Sequence, residues 1–151
     1  MPEEVILIAA VTVDGFIARH KEEVTAWSQD LSLFKEQTLG HSVIMGFNTF
    51  KTLSQELKGR ETIVVKRGED PASLLNAVKG SRCFIIGGGK TFSLFAKYLT
   101  HLYVTPHPHI FGSGVTLFDG TVDEILLKFN NLITVDDKAG IFQYQYRVIQ
   151  K

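Results

Sequence analysis

The chain has 151 residues, 44% hydrophobic and 21% charged, with 16 Lys plus Arg balancing 16 Asp plus Glu. This is the size and apolar content of a single globular domain over 1–151, and zero formal charge points away from a nucleic-acid or membrane partner. One cysteine, Cys83, excludes an intrachain disulfide, and the apolar run Val5–Val11 behind Glu3 and Glu4 is too short for a bilayer span and lacks a signal peptide's basic segment, so a cytoplasmic protein is expected.

Short apolar runs alternate with helix-like stretches, the pattern of a mostly parallel sheet flanked by helices. Val5–Val11 reads as a strand buried on both faces. Gln29–Leu39 predicts a helix, with Leu31, Phe34 and Leu39 on or near one face and Gly40 as its stop. Val43–Met45 is a short strand ended by Gly46, after which Asn48 caps a short helix to Leu53. Thr62–Val65 is a third strand, and Pro71 opens a helix to Val78. Cys83–Ile86 is a fourth strand, its thiol expected to be buried. Gly87-Gly88-Gly89 leads into a helix through Leu99, and Leu102–Thr105 is a fifth strand. Leu132–Val135 and Ile141–Ile149 predict a closing antiparallel hairpin across Asp136–Gly140.

Three features carry chemistry. The run Ile86-Gly87-Gly88-Gly89-Lys90-Thr91 takes a strand through glycines into a helix, which exposes backbone N–H groups to an anion such as a diphosphate. It is neither a Walker A loop nor G-x-G-x-x-G, and a tight turn without a ligand is the bland alternative. Asp30 sits beside the apolar helix residues Leu31 and Phe34. In a pocket with little water such an acid can bond a flat nitrogen heterocycle through both oxygens, whereas on the surface it is only a helix-start charge. Arg60, in a turn after Gly59, has the geometry to clamp a carboxylate. Lys66 and Arg67 end a strand, on the side where open α/β sheets bind ligands. For all three the alternative is solvated surface charge. His107 and His109 form an H-x-H pair with no partner cluster, so no metal is expected.

In order and spacing these segments resemble the dihydrofolate reductase family from Ile6 to about Phe118. Ile8-Ala9-Ala10 and Val13-Asp14-Gly15-Phe16-Ile17-Ala18 resemble its first strand and the start of its mobile loop. Asp30-Leu31, Phe34-Lys35 and Thr38 resemble the helix bearing its pterin-binding acid. Val43-Ile44-Met45-Gly46 with Thr49 is similar to V-I-M-G-R-x-T, and Leu57, Gly59-Arg60 and Ile63-Val64 to L-P-G-R-x-N-I-I. Ile86-Gly87-Gly88-Gly89 matches I-G-G-G, and Leu102-Tyr103-Val104-Thr105 matches L-Y-L-T.

The resemblance implies a dihydrofolate reductase-like α/β fold and NADPH-dependent reduction of dihydrofolate, with hydride transfer to pterin C6 and protonation at N5. It makes Asp30, supported by Thr105, the catalytic pair. Ile8, Leu31, Phe34, Leu53 and Ile86 become the substrate pocket, and Arg60 the partner of the glutamate tail. Ala10, Ile17, Gly46, Asn48, Thr49, Gly87, Gly88, Gly89, Lys90 and Phe92 become the cofactor site, with Lys66 and Arg67 for the 2′-phosphate. A monomer acting on a small molecule is implied.

Three departures stand out. Phe47 replaces the arginine of V-I-M-G-R, leaving Lys66, Arg67 and Lys90 to prefer NADPH over NADH. The loop Arg19–Ala26 lacks the usual Met-Pro-Trp. Pro106, Gly112-Ser113-Gly114 and Leu117-Phe118 look more like the related reductase domain of riboflavin biosynthesis, which reduces a ribosylated aminopyrimidine. That activity and a non-catalytic NADP-binding module are the alternatives.

Overall fold

Alternation within the first apolar run sets the layering of the molecule. The computed structural model describes residues 1–23, 27–53 and 57–150. Strand β1 (Glu4–Thr12) turns Val5 and Leu7 into one core cluster and Ile6 and Ile8 into the other, the two-residue period of an extended chain. All four are at most 4% exposed.

The chain continues through β2 (Phe16–Ala18), α1 (Leu31–Thr38), β3 (Ser42–Met45), α2 (Phe47–Leu53), β4 (Glu61–Val64) and α3 (Pro71–Asn76). It then forms β5 (Arg82–Ile85), α4 (Gly89–Phe95), β6 (His101–His107), β7 (Val115–Thr116), β8 (Leu127–Asp136) and β9 (Ile141–Val148). Seven strands make one sheet in the order β4-β3-β5-β1-β6-β9-β8. The first five are parallel, and β9 and β8 close the sheet antiparallel. The expected mostly parallel sheet with a C-terminal hairpin is therefore present. Leu75 of α3 and Phe92 and Phe95 of α4 pack with Val5, Leu7, Ile44 and Ile85 on one face. Phe34 of α1 and Phe50 and Leu53 of α2 pack with Ile6, Val43, Met45 and Phe84 on the other.

Helix ends differ from the sequence reading for local reasons. Helix α1 begins at Leu31, one residue after Asp30, and stops at Thr38. Asp70 caps α3 by accepting the Ser73 N–H at 3.2 Å, ahead of Pro71, but the helix ends at Asn76 and not at Val78. Helix α4 ends at Phe95, and Ala96–Tyr98 tighten into a 3-10 turn where a helix to Leu99 was expected. Strand β8 starts at Leu127, five residues before Leu132, and two register shifts interrupt its pairing with β9. A small ribbon of β2 and β7 lies apart from the main sheet. Strands of two and three residues leave no readable alternation, so the sequence did not announce them. Cys83 is buried, and burial first, with Glu61 second, pushes its thiol up to about 12. Among the described residues no helix is long and apolar enough to cross a membrane.

Candidate active site

The interior strands change character at their carboxyl ends. Strand β1 passes from Val5-Ile6-Leu7-Ile8 to Ala9-Ala10, β3 runs into Gly46, and β5 into Ile86 and three glycines. Small side chains there leave space that large ones would fill. The result is a cavity of about 440 Å³ beside a smaller one of about 80 Å³. Ala9, Ala10, Leu53 and Ile86 line both.

Asp30 lines the smaller cavity with Ile8, Ser28, Leu31 and Phe34. It occupies the N-cap position of α1 yet makes no capping bond with its side chain, and it is only 8% exposed. An acid that caps its helix would spend an oxygen on a backbone N–H; this one presents its carboxylate to an apolar pocket instead. Thr105 lines neither cavity. It lies on β6 opposite Ala10, fully buried, and its hydroxyl has no partner among the described residues. Such an orphan costs roughly 1–3 kcal/mol.

Arg60 also lies outside both cavities. Its Nε donates to Thr38 Oγ1 at 2.8 Å, and its two terminal nitrogens donate to the carbonyls of Lys58 and Lys35. The bonds to Thr38 and Lys35 fasten the guanidinium to the last turn of α1, and the three together use three of its five N–H groups. At about 1.5 Å per residue, Lys35 and Thr38 stand roughly 8–12 Å along the helix from Asp30.

In the larger cavity Ala10, Ile17, Gly46, Asn48, Thr49, Gly87, Gly88, Gly89, Lys90 and Phe92 are all in the lining. Gly87 has φ +133°, open in practice to glycine alone, and a Cβ there would sit 3.2 Å from Thr49 Oγ1. A Cβ on Gly89 would lie 2.6 Å from the Thr116 carbonyl oxygen, so β7 closes directly over the glycine run. Of the basic residues proposed from sequence, Lys90 is in the lining, while Lys66 and Arg67 are not. They follow β4, the outermost strand, and are exposed.

Sequence reading missed Lys21, Glu23, Trp27, Thr91, Gly114, Val115 and Asp119, which also line the larger cavity. The loop Arg19–Ala26, the end of the glycine run at Thr91 and the Gly112-Ser113-Gly114 spacing hinted at some of them without assigning a role. The segment after β1 is held down by Asp14. Its carboxylate accepts the Thr12 hydroxyl at 2.6 Å and the Gly112 and Phe111 amides at 2.8 and 3.2 Å. The Thr12 bond first, then the Gly112 and Phe111 amides, outweighs burial and holds Asp14 below the usual carboxylate value. Arg19 pairs with Glu23 at 2.7 Å and lies 4.3 Å over the Phe111 ring. The expected loop Arg19–Ala26 is thus described as far as Glu23; 24–26 lie outside the described residues. His107 and His109 pack on Trp27, and among the described residues no cluster of three or more metal-ligating side chains occurs.

The dihydrofolate reductase family model matches residues 4–147. Dihydrofolate reductase from Bacillus subtilis is 29% identical over 116 residues, 69% of each chain. Among solved structures, Enterococcus faecalis dihydrofolate reductase, complexed with NADP(H) and RAB-propyl, superposes with a TM-score of 0.76 at 20% identity, covering 99% of both chains. A putative riboflavin biosynthesis protein from Shewanella sp. PV-4 superposes at 0.65 with 18% identity, covering 97% of this chain and 99% of that one.

Proposed function

The chain belongs to the dihydrofolate reductase family of oxidoreductases, and we propose that it reduces 7,8-dihydrofolate to 5,6,7,8-tetrahydrofolate with NADPH. One observation carries the reading: two adjoining cavities share Ala9, Ala10, Leu53 and Ile86, and the smaller holds a buried acid. A hydride transfer needs donor and acceptor rings in contact with water excluded, and this shared wall is where two flat rings would meet.

The larger cavity fits the cofactor. Its size lies in the range of small-ligand sites, and its glycine run lets a diphosphate reach backbone N–H groups without a side chain between. Gly87, Gly88 and Gly89, with Gly46, Asn48, Thr49 and Phe92 around them, would hold the diphosphate. Ala10 and Ile17 would border the nicotinamide. Lys90 would take the 2′-phosphate ahead of Lys66 and Arg67, giving NADPH over NADH. Bound NADPH would supply the hydride.

The chain's own residues do the rest. Asp30, supported by Thr105, would hold the pterin through its N3 and 2-amino group and favour a proton at N5. Ile8, Leu31, Phe34, Leu53 and Ile86 would pack on the pterin and benzoyl rings. Arg60, fixed to the far end of α1, would offer its remaining N–H groups to the glutamate carboxylate.

The test is the absorbance loss of NADPH with dihydrofolate. Asp30→Asn should bind NADPH as wild type does and slow turnover at pH 7 by about 10²–10⁴, the range for a lost acid–base group. Wild-type turnover in that variant would remove Asp30 from the mechanism. The Gly114 and Val115 lining belongs to the segment that looks like riboflavin reductases, so a ribosylated aminopyrimidine is the second substrate to assay. Its turnover without that of dihydrofolate would replace the reading.

A further inference from the structure

His107 is a buried ring that this mechanism leaves unused. It ends β6, is 1% exposed and lines neither cavity. Its Nε2 accepts the backbone N–H of Gln29 at 2.9 Å, and its Nδ1 lies 2.9 Å from the carbonyl oxygen of Thr105. An amide nitrogen only donates and a carbonyl only accepts. Both bonds therefore coexist in one state, a neutral imidazole with its proton on Nδ1, donating to Thr105. The ring has no freedom to choose its tautomer.

One anchor point adjoins the acid of the smaller cavity and the other belongs to the buried threonine proposed to support it. Gln29 directly precedes Asp30, and Thr105 carries the orphan hydroxyl. They lie on different elements, so nothing local in the chain fixes their separation. Trp27 closes the far side, edge-on to the imidazole at 5.2 Å, while itself lining the larger cavity. The N-cap position of α1 is meanwhile held by no side-chain bond of its own. The His107 ring supplies a cross-link there from outside the helix.

We infer that His107 is a positioning residue: its neutral imidazole bridges the Gln29 amide to the Thr105 carbonyl and so sets where Asp30 stands relative to Thr105. The kinetic part of this inference rests on the folate reading, whereas the bridge does not.

Three variants separate the bonds. Glutamine at 107 is long enough to bring a carbonyl oxygen to the Gln29 N–H, asparagine reaches only the local Thr105 carbonyl, and leucine makes neither bond. Relative to wild type, His107→Leu and His107→Asn should lower kcat for dihydrofolate by about 10- to 100-fold, the scale for a misplaced catalytic group, with the NADPH Kd within about twofold. His107→Gln should recover most of that loss. A merely structural role would move NADPH binding together with kcat and would not separate glutamine from asparagine. Wild-type kcat in His107→Leu, or equal kcat in the glutamine and asparagine variants, would overturn the inference. If His107→Leu does not fold, the glutamine and asparagine pair still decides. Nitrogen-15 NMR of the free wild-type protein at pH 7 should show a neutral ring protonated at Nδ1. Hydrogen exchange should show a Gln29 amide that loses protection in His107→Asn and keeps it in His107→Gln. A cationic ring, the Nε2–H tautomer or an unprotected Gln29 amide in wild type would also overturn it. These last two measurements need no substrate, so they stand even if dihydrofolate is not turned over and the folate reading fails.

Discussion

The parallel half of the sheet and the β8–β9 hairpin are held by different forces. Strands β3, β5 and β1 are continuous apolar runs, and Val43, Ile44, Phe84, Ile85, Ile6 and Leu7 are all fully buried. The hairpin buries Ile141 but also amides: Gln143 is 1% and Gln145 8% exposed. Gln37 of α1 and Gln143 exchange two hydrogen bonds at 2.7 and 2.9 Å, and Gln145 donates to Gln143 at 2.9 Å. Phe129, Leu132 and Leu127 meanwhile stay exposed on β8. The half that builds the cavities is stabilised by packing that tolerates little loss of volume. The half that only flanks β6 adds satisfied buried polar groups to its packing, and such groups do not tolerate the loss of a partner.

Four measurements would break or sharpen this contrast. The largest effect belongs to the parallel half: Phe84→Ala should lower the unfolding free energy by about 3–5 kcal/mol, the usual loss for a buried aromatic, read by denaturant titration. Gln143→Ala should cost less, about 1–3 kcal/mol, because it takes the partner from the buried Gln145 amide and from the half-buried Gln37 amide. A loss as large as that of Phe84→Ala would mean the hairpin is as critical to the core as the parallel strands. Phe129→Ala comes third. Its ring is 55% exposed and edge-on to Tyr146 at 6.2 Å, so roughly 1 kcal/mol is the ceiling. A greater loss would show that β8 is buried in solution.

The smallest effect concerns Asp14 and reads out as acid sensitivity. Its folded pKa lies below the ordinary carboxylate value of 3.8, with the Thr12 hydroxyl bond as the largest cause. A depressed acid stabilises the fold above its unfolded pKa and loses that contribution as pH falls through the folded value. Wild type should therefore exceed Asp14→Ala in stability at neutral pH, and the gap should narrow below about pH 4. A gap that widens in acid would mean the bonds to Thr12, Phe111 and Gly112 do not hold the carboxylate in solution.

The same contrast explains what the sequence disclosed. The parallel strands were legible because a run such as Ile6-Leu7-Ile8 has no polar face to misplace, and their order of appearance with helices between them implies the layering. The hairpin was legible as well, with its turn from Asp136 to Gly140 and its second strand from Ile141, but the start of β8 at Leu127 and the buried face of β9 were not. Phe142-Gln143-Tyr144-Gln145-Tyr146 alternates in a way that would bury the aromatics most, whereas the glutamines are the more buried face because Gln37 meets Gln143 across the layer and Gln143 in turn accepts from Gln145. The glycine run and Asp30 could be singled out from local pattern alone. The unpartnered hydroxyl of Thr105, the His107 bridge and the placement of Lys66 and Arg67 on an outer strand depend on neighbours distant in sequence. No window on one segment contains them.

The central place of β1 also bears on how the molecule is made. Ile6 pairs with Phe84 on one side and with His101 on the other, so β1 is synthesised long before either neighbour exists. At about 5–20 residues per second, that interval lasts roughly 5–20 s on the ribosome. For that time an apolar segment with no edge protection waits in the nascent chain, and the cavity it will floor cannot form. The sheet around β1 is thus completed only once the strand carrying Thr105 and His107 has emerged, and the ligand site is among the last parts of this layer to take shape.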